Sequence, residues 1–336
     1  MSVAILGCTH PHAYGYARFL AETPEARLTA VWDDDLSRGR EAAQRLGTIY
    51  VDEYERILHS RDVEAVLLAS KLSARVELAV AALEAGKNVL CEVPIAPSLE
   101  GADRVFKASR GSSGIFQPCF AMRHSPSTVM GREAVRRGEV GSLISITCTS
   151  QLVGLSNEAK EGSIANKVAQ VDSVLHLVDL ARWFSRSEPE LVYAAAVGGL
   201  GAESKMELGF TATMRFASGV VSSIDALPSR RSDTLGEERL VMEILGNEGL
   251  VRLDAFSQAV SVHGQGRPQG MPTRYPWGCN VWKEMLKSFL ACVRRGAEPV
   301  ADAFDARQAT EAAVAVQRSA HEQRQIRLPL TSSLKG

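Results

Sequence analysis

No C-x-x-C pair links the six cysteines of this 336-residue chain; Cys8, Cys91, Cys119, Cys148, Cys279 and Cys292 are scattered along it. That spacing argues against a zinc site and, at this length, for reduced thiols rather than a disulfide frame. Long apolar runs are lacking too. The longest are strand-sized, such as Ala65–Ala69, far below the roughly 20 residues that cross a bilayer. Neither sign of charge dominates: 38 lysines and arginines stand against 39 aspartates and glutamates, a net charge of -1. Neither nucleic acid nor an anionic membrane surface is therefore expected as a partner. No leader-like segment precedes the first strand, so the expected location is cytoplasmic. Repeats, heptads and low-complexity tracts are also missing. What is there is 45% hydrophobic and 23% charged, the composition of a globular protein with enough chain for two domains.

The first third alternates short β-type runs with helical stretches. Strands are expected over Val3–Leu6, Leu28–Trp32, Thr48–Val51, Ala65–Ala69, Val89–Cys91 and Ile115–Pro118, with helices over Ser37–Leu46, Glu53–His59, Ala74–Ala85 and Leu99–Ser109. Gly47 and Gly86 stand just past two of these helices, where C-terminal caps stand. Such alternation predicts a doubly wound parallel sheet of Rossmann type, whose ligand lies beyond the C-terminal strand ends. The pattern changes after Cys119. A helix over Thr128–Arg137, a strand over Leu143–Thr149, a polar loop from Gln151 to Gln170 and a helix over Asp172–Ser185 come first. From Met206 to Phe216 apolar and polar residues then alternate strictly, which predicts a strand with one buried face. "GNEG" at Gly246–Gly249 joins Leu240–Leu245 to Leu250–Asp254 as a hairpin turn does. The fold class is α/β: an N-terminal Rossmann domain over residues 1–118, then an α+β domain over 119–336 with a large, mainly antiparallel open sheet. Two helices, Val281–Arg295 and Ala306–Glu322, close the chain.

Three places carry candidate chemistry. In "LGCTHPHAYGY" the spacing G-x-G-x-x-G asks for glycine at 7, 9 and 12, but Thr9 and His12 accompany Gly7. Gly7 allows a tight turn after the first strand, and the next helix start presents amides to a pyrophosphate. The hydroxyl of Thr9 or the imidazole of His12 donates where glycine would have let the backbone approach. His10 and His12 form a His-x-His, yet no further ligand stands at a recognisable spacing, so no metal is expected. Asp33 ends the second strand in "AVWDDD". A carboxylate there accepts from the adenosine ribose and repels a 2'-phosphate, which favours NAD over NADP. Its alternative is a cap, because Asp33–Asp35 also precedes a helix. In "DSVLHLVDLARWF", Asp172, His176 and Asp179 fall at i, i+4 and i+7, on one helical face. An imidazole held by a carboxylate is a general acid or base near neutral pH. The bland reading is a solvated face, against which Leu175, Val178, Trp183 and Phe184 point to a buried helix.

In their order and spacing these segments resemble the family of glucose-fructose oxidoreductase and inositol dehydrogenase, Gfo/Idh/MocA. "AVWDDD" is similar to its second-strand end, "EAGKNVLCEVPIA" to the segment around its Glu-Lys-Pro motif, and "VDSVLHLVDLARWF" to its Asp-x-x-x-His helix. "ILGNEGLVRLD" and the terminal "RGAEPVADAFDARQATEAAVAVQRSA" also look like their counterparts. The resemblance implies hydride transfer between NAD and a hydroxyl carbon of a sugar, inositol or related polyol. It also implies self-association through the C-terminal sheet as a homodimer or homotetramer. Carried over residue by residue, it sets Gly7, Cys8, Thr9, His10, His12, Asp33, Ser70, Lys71, Glu92 and Pro94 at the cofactor. His176 is then the acid/base, oriented by Asp172, and Val93, Arg123 and Asp179 lie at the substrate.

The departures are as informative. The Glu-Lys-Pro motif reads Glu92-Val93-Pro94, and valine neither donates nor carries charge. Ser70, Lys71 and Leu72 replace the usual Thr-Pro-Asn, Arg75 stands where histidine is common, and Asn166, Lys167 and Val168 replace small glycines. For a net dehydrogenase, Lys71 or Lys167 takes over the missing lysine's electrostatic task. Two other readings stay open: a redox-neutral sugar-processing enzyme that retains NAD, and a ligand-binding protein without redox catalysis. Trp277 and Trp282 either wall a sugar site or serve the core, and the Gln151–Gln170 loop has the length of a substrate lid.

Overall fold

A computed structural model of the chain describes residues 1–151, 164–198, 207–227, 239–256, 259–262, 273–276 and 278–330; for 151, 164–171, 207, 208, 239, 259–262 and 273–276 only the backbone is described. The chain forms two compact units. One joins Met1–Ala121 with Val281–Thr310, the other Met122–Asn280 with Glu311–Gly336.

The first unit begins with β1 (Ser2–Leu6), α1 (His12–Ala21), β2 (Arg27–Trp32), α2 (Leu36–Leu46), β3 (Ile49–Tyr50) and α3 (Tyr54–His59). It continues with β4 (Ala65–Leu68), α4 (Leu72–Glu84), β5 (Asn88–Cys91), α5 (Leu99–Gly111) and β6 (Phe116–Pro118). The strands run parallel in the order β3-β2-β1-β4-β5-β6, the Rossmann order expected from the alternation. β1 and β4 are buried along their whole length, so both read as unbroken apolar runs. α2 is capped by Asp35, which accepts from the Arg38 amide at 2.9 Å, and it ends on Gly47 with φ +65°. Gly86, past α4, has φ +70°. Both glycines stand where the sequence placed them.

The second unit contains α6 (Pro126–Arg136), β7 (Leu143–Gln151), α7 (Ile164–Ser185), β8 (Pro189–Gly198), β9 (Glu207–Phe216) and β10 (Val221–Ala226). Then come β11 (Arg239–Gly246), β12 (Leu250–Asp254) and a separate ribbon of β13 (Ala259–Val262) with β14 (Thr273–Pro276). α8 (Val281–Arg295) belongs to the first unit, α9 (Ala303–Glu322) runs from one unit into the other, and β15 (Ile326–Arg327) returns to the second. The main sheet has the order β12-β11-β7-β10-β9-β8-β15 and is antiparallel except for β10 beside β7. In β9, Phe210, Ala212, Met214 and Phe216 are buried while Thr213 and Arg215 are exposed, as the alternation requires.

α7 lies on β7, β9 and β10. Val174, Leu175, Leu177, Val178, Leu180, Ala181 and Phe184 are all buried, so the helix is apolar around most of its girth and must be enclosed. It also starts eight residues before Asp172. The polar loop expected over Gln151–Gln170 is thus shorter: Gln151 closes β7, residues 164–170 are helical, and 152–163 lie outside the described residues. Ile164, Val168, Val171 and Leu175 continue the three-to-four spacing backward, which carries the helix through Lys167. β8 was not expected. Its "YAAAV" centre has weak strand propensity, and the strand forms by pairing along β9. Among the described residues no helix is long and apolar enough to cross a membrane.

Candidate active site

β1 leads into Gly7, whose φ of +89° suits glycine. A Cβ there would run into the backbone of Ser70. The turn is tied down by its own amides: Gly7 N–H donates to Trp32 O at 2.7 Å, Cys8 N–H to Asp33 Oδ2 at 2.6 Å, and His10 N–H to Ala69 O at 3.0 Å. α1 then starts behind Pro11 without a side-chain cap, and a helix start of that kind attracts an anion. A tight glycine turn, no room for a Cβ and an uncapped helix start together fit the pyrophosphate of a dinucleotide. Burial and the Asp33 charge push the Cys8 thiol up to about 12, so this residue offers its backbone rather than a thiolate. Thr9 is exposed and Ser70 is buried.

The three aspartates at the end of β2 divide the work. Asp33 is buried; besides the Cys8 amide it accepts from the Asp35 amide at 2.8 Å and from Arg38 Nη2 at 2.5 Å. Asp34 pairs with Arg38 at 2.9 Å and with the Lys71 ammonium, whose hydrogen bond holds its carboxyl below the usual range. Asp35 is the cap of α2. The capping alternative therefore belongs to Asp35, and Asp33 holds the loop. Lys71, expected as a stand-in for the motif lysine, gives its ammonium to Asp34.

Glu92 follows β5 and is 3% exposed. Arg75 of α4, itself buried, donates to Glu92 O at 3.2 Å, Pro94 O at 2.6 Å and Ser70 O at 2.8 Å. It clamps the backbone of the motif, in which the Val93–Pro94 peptide is cis. Val93 is buried, so apolar packing fills the lysine's position. The Glu92 Oε1 atom accepts from Tyr16 OH at 2.5 Å and from His12 Nδ1 at 2.9 Å, with His10 Nδ1 at 3.6 Å. Burial alone would raise this carboxyl, but the His12 hydrogen bond and the two imidazole charges outweigh it and hold it at about 2. Tyr16 is pushed up by burial and by its neighbours Cys119 and Glu92. His10, His12 and Glu92 bring one ligand atom each within 4.8 Å of one another. The expectation of no metal rested on spacing in the chain, whereas the fold adds a third group from 80 residues away.

In the second unit, His176 Nε2 lies 3.7 Å from Asp172 Oδ1, with the side chains 13% and 34% exposed. Asp179 does not share that opening. Arg123, in a 3-10 turn over Ala121–His124, donates to it through Nε at 2.8 Å and Nη2 at 2.7 Å, and both side chains are buried. Each satisfies the other's charge, which makes the pair a brace under α7 rather than an open contact surface. Lys167 sits in the first turns of α7 with its side chain outside the described residues, and Trp277 lies outside the described residues altogether. Trp282, at the start of α8, sets its ring 5.3 Å from that of His12. Sequence reading missed Tyr16 and the clamping role of Arg75. A signal existed for the first, because Tyr16 stands one helical turn after His12.

Residues 1–120 match the oxidoreductase family with an NAD-binding Rossmann fold, and residues 130–252 match the GFO/IDH/MocA C-terminal domain. The chain belongs to the GFO/IDH/MocA family. It is an oxidoreductase whose first unit is of the NAD-binding type. Among family members, the myo-inositol 2-dehydrogenase of Thermotoga maritima is 27% identical over 93% of this chain and 94% of its own length. The inositol 2-dehydrogenase of Rubrobacter xylanophilus is 29% identical over 72% of this chain and 67% of its own. The crystal structure of scyllo-inositol dehydrogenase from Lactobacillus casei, with bound NAD(H) and scyllo-inositol, shares the fold. Its TM-score is 0.78 over 97% of this chain and 98% of that one, at 18% identity.

Proposed function

We propose that this family member oxidises a hydroxyl carbon of a sugar, inositol or related polyol with NAD, and that α7 supplies the proton chemistry. The observation that carries the reading is the Asp172–His176 pair, partly open on an otherwise enclosed helix. Bound NAD would accept the hydride. His176 takes the hydroxyl proton as the carbon loses its hydride, with the Asp172 carboxylate 3.7 Å from its Nε2 one helical turn away. In the reverse direction the same imidazolium returns the proton. The turn at Gly7 and the start of α1 hold the pyrophosphate, and the acidic end of β2 receives the adenosine ribose and disfavours a 2'-phosphate. The inositol dehydrogenases among the relatives support a cyclic polyol as substrate.

The test is the reduced-nicotinamide absorbance with NAD+ and a panel of myo-inositol, scyllo-inositol, levoglucosan and glucose. Turnover-dependent growth is expected with at least one of them. Failure to bind NAD in a calorimetric titration would sink the reading, and product without net NADH would replace it by redox-neutral chemistry. We also assign self-association to the main sheet. Tyr193, Val221, Leu245 and Leu250 are exposed on its strands, and the registers set them on the face opposite Phe210 and Met214. A dimer or tetramer in analytical ultracentrifugation is expected, and a monomer would remove this assignment.

A further inference from the structure

Glu92 poses an electrostatic problem that the lost lysine makes acute. A carboxylate with a 4% exposed side chain ionises only when donors or a cation face it. Neither of the cations just described meets it: Lys71 is paired with Asp34, and Arg75 is spent on three backbone carbonyls. Among the described residues, the groups at the Glu92 carboxylate are Tyr16, His12 and His10.

The two histidines are not equivalent. His12 Nδ1 stands 2.9 Å from Oε1, and since a carboxylate only accepts, that nitrogen carries a proton. His10 Nδ1 is farther, 3.6 Å from the same oxygen, with the His12 backbone N–H at 3.4 Å, so it faces Glu92 as a neighbouring ring and not as its hydrogen-bond donor. Donation from Nδ1 leaves Nε2 as the basic nitrogen of His12. The ring is also oriented. It lies edge-on to His10 at 4.5 Å and tilted against Trp282 at 5.3 Å between centroids. Its side chain is 35% exposed, against 4% for Glu92, and Tyr16 is buried at 1%. The triad is thus anchored in the core and presents an accessible imidazole at its tip, beyond the C-terminal ends of β1 and β5, where a Rossmann unit holds its ligand.

We propose that His12, held by Glu92 and Tyr16, is a second catalytic group of the dehydrogenase and supplies the hydrogen-bonding positive charge that a lysine at position 93 would supply. This rests on the dehydrogenase reading given above. As an imidazolium, His12 donates through Nε2 to the reacting oxygen and steadies its negative charge while the hydride departs. Glu92 and Tyr16 are positioning residues: the first fixes the tautomer and favours the cation, the second holds the carboxylate from below. Among the described residues, Glu92 from the end of β5, His10 from the loop, Tyr16 from α1 and the Trp282 ring from α8 face the imidazole and its carboxylate. Behind them stand Cys119 on the Tyr16 hydroxyl and Arg75 on the Glu92 carbonyl.

The experiment uses the full-length enzyme with NAD+ and the polyol of the panel that it oxidises fastest. His12→Gln should lower kcat about 10²-fold while NAD+ affinity changes by less than about 3-fold, roughly 0.6 kcal/mol. His12→Lys, which restores an ammonium, should recover much of that loss and extend the active range to higher pH. In 15N-histidine NMR of the NADH complex, His12 should show the proton on Nδ1, and Glu92→Gln should move its titration midpoint to lower pH. Unimpaired turnover in His12→Gln, or an unmoved midpoint in Glu92→Gln, overturns the proposal while the dehydrogenase reading stands. A wild type that reduces no NAD+ with any panel polyol defeats both. Inactivation by EDTA that Zn2+ reverses also overturns it, since the same three side chains would then be metal ligands.

Discussion

Asp172 and His176 meet across one turn of α7, whereas His12 and Glu92 meet across 80 residues of chain. In the first pair the atoms are 3.7 Å apart and the carboxylate is 34% exposed. In the second they are 2.9 Å apart and the carboxylate is 4% exposed. Asp172 is partly open to solvent, so its charge does not depend on His176 alone. Glu92 keeps its charge only through the donors that face it. The same two residue types therefore make a partly open pair within one helix in one unit and a structural anchor with a reactive tip in the other.

The comparison breaks most visibly at His176. His176→Ala should lower kcat by about 10²- to 10⁴-fold and leave NAD affinity nearly intact in steady-state kinetics and titration; full activity would refute its role. Next is the scaffold under that pair. Arg123→Met takes the guanidinium away from the buried Asp179 carboxylate, which should cost about 3 to 5 kcal/mol in denaturant unfolding. Adding Asp179→Leu should restore most of it, and a single variant of native stability would remove the brace.

Glu92 sharpens the contrast through pH. Its folded value, about 2, lies below the ordinary 4.5, so its stabilisation is complete above about pH 4.5 and is lost as pH falls toward 2. Acid titration of unfolding should show about 3 kcal/mol of this kind in the wild type and none in Glu92→Gln. Asp172→Asn should leave that acid slope unchanged, and an equal effect from the two variants would erase the distinction. The smallest effect is expected at the β2 corner, where Asp33→Ala should weaken NAD binding by about 1 to 3 kcal/mol in calorimetry.

The same contrast explains what was legible in the sequence. The strand and helix order from Ser2 to Pro118, the caps at Gly47 and Gly86, and the one-turn spacing of Asp172 and His176 are local patterns, and each stands in the structure as read. β8 escaped because its alanines carry little strand signal and its partner strand decides its form. The start of α7 was masked by polar residues that look loop-like one by one. Asp179 shares a helical face with His176 in projection, yet Arg123, 56 residues away in the chain, closes over it. The grouping of Tyr16, His12 and Glu92 needs the C-terminal ends of β1 and β5 brought side by side across β4, which no spacing rule encodes.

The return of Val281–Thr310 to the first unit bears on how this protein can be cut and recombined. Residues 1–121 look like a portable cofactor module, but Trp282 packs on the His12 ring, and Lys283 reaches Glu22 at 2.5 Å. A transplant made with one crossover would leave those supports behind with the donor. Grafting this cofactor unit onto another substrate unit therefore requires two junctions, one on each side of the inserted domain.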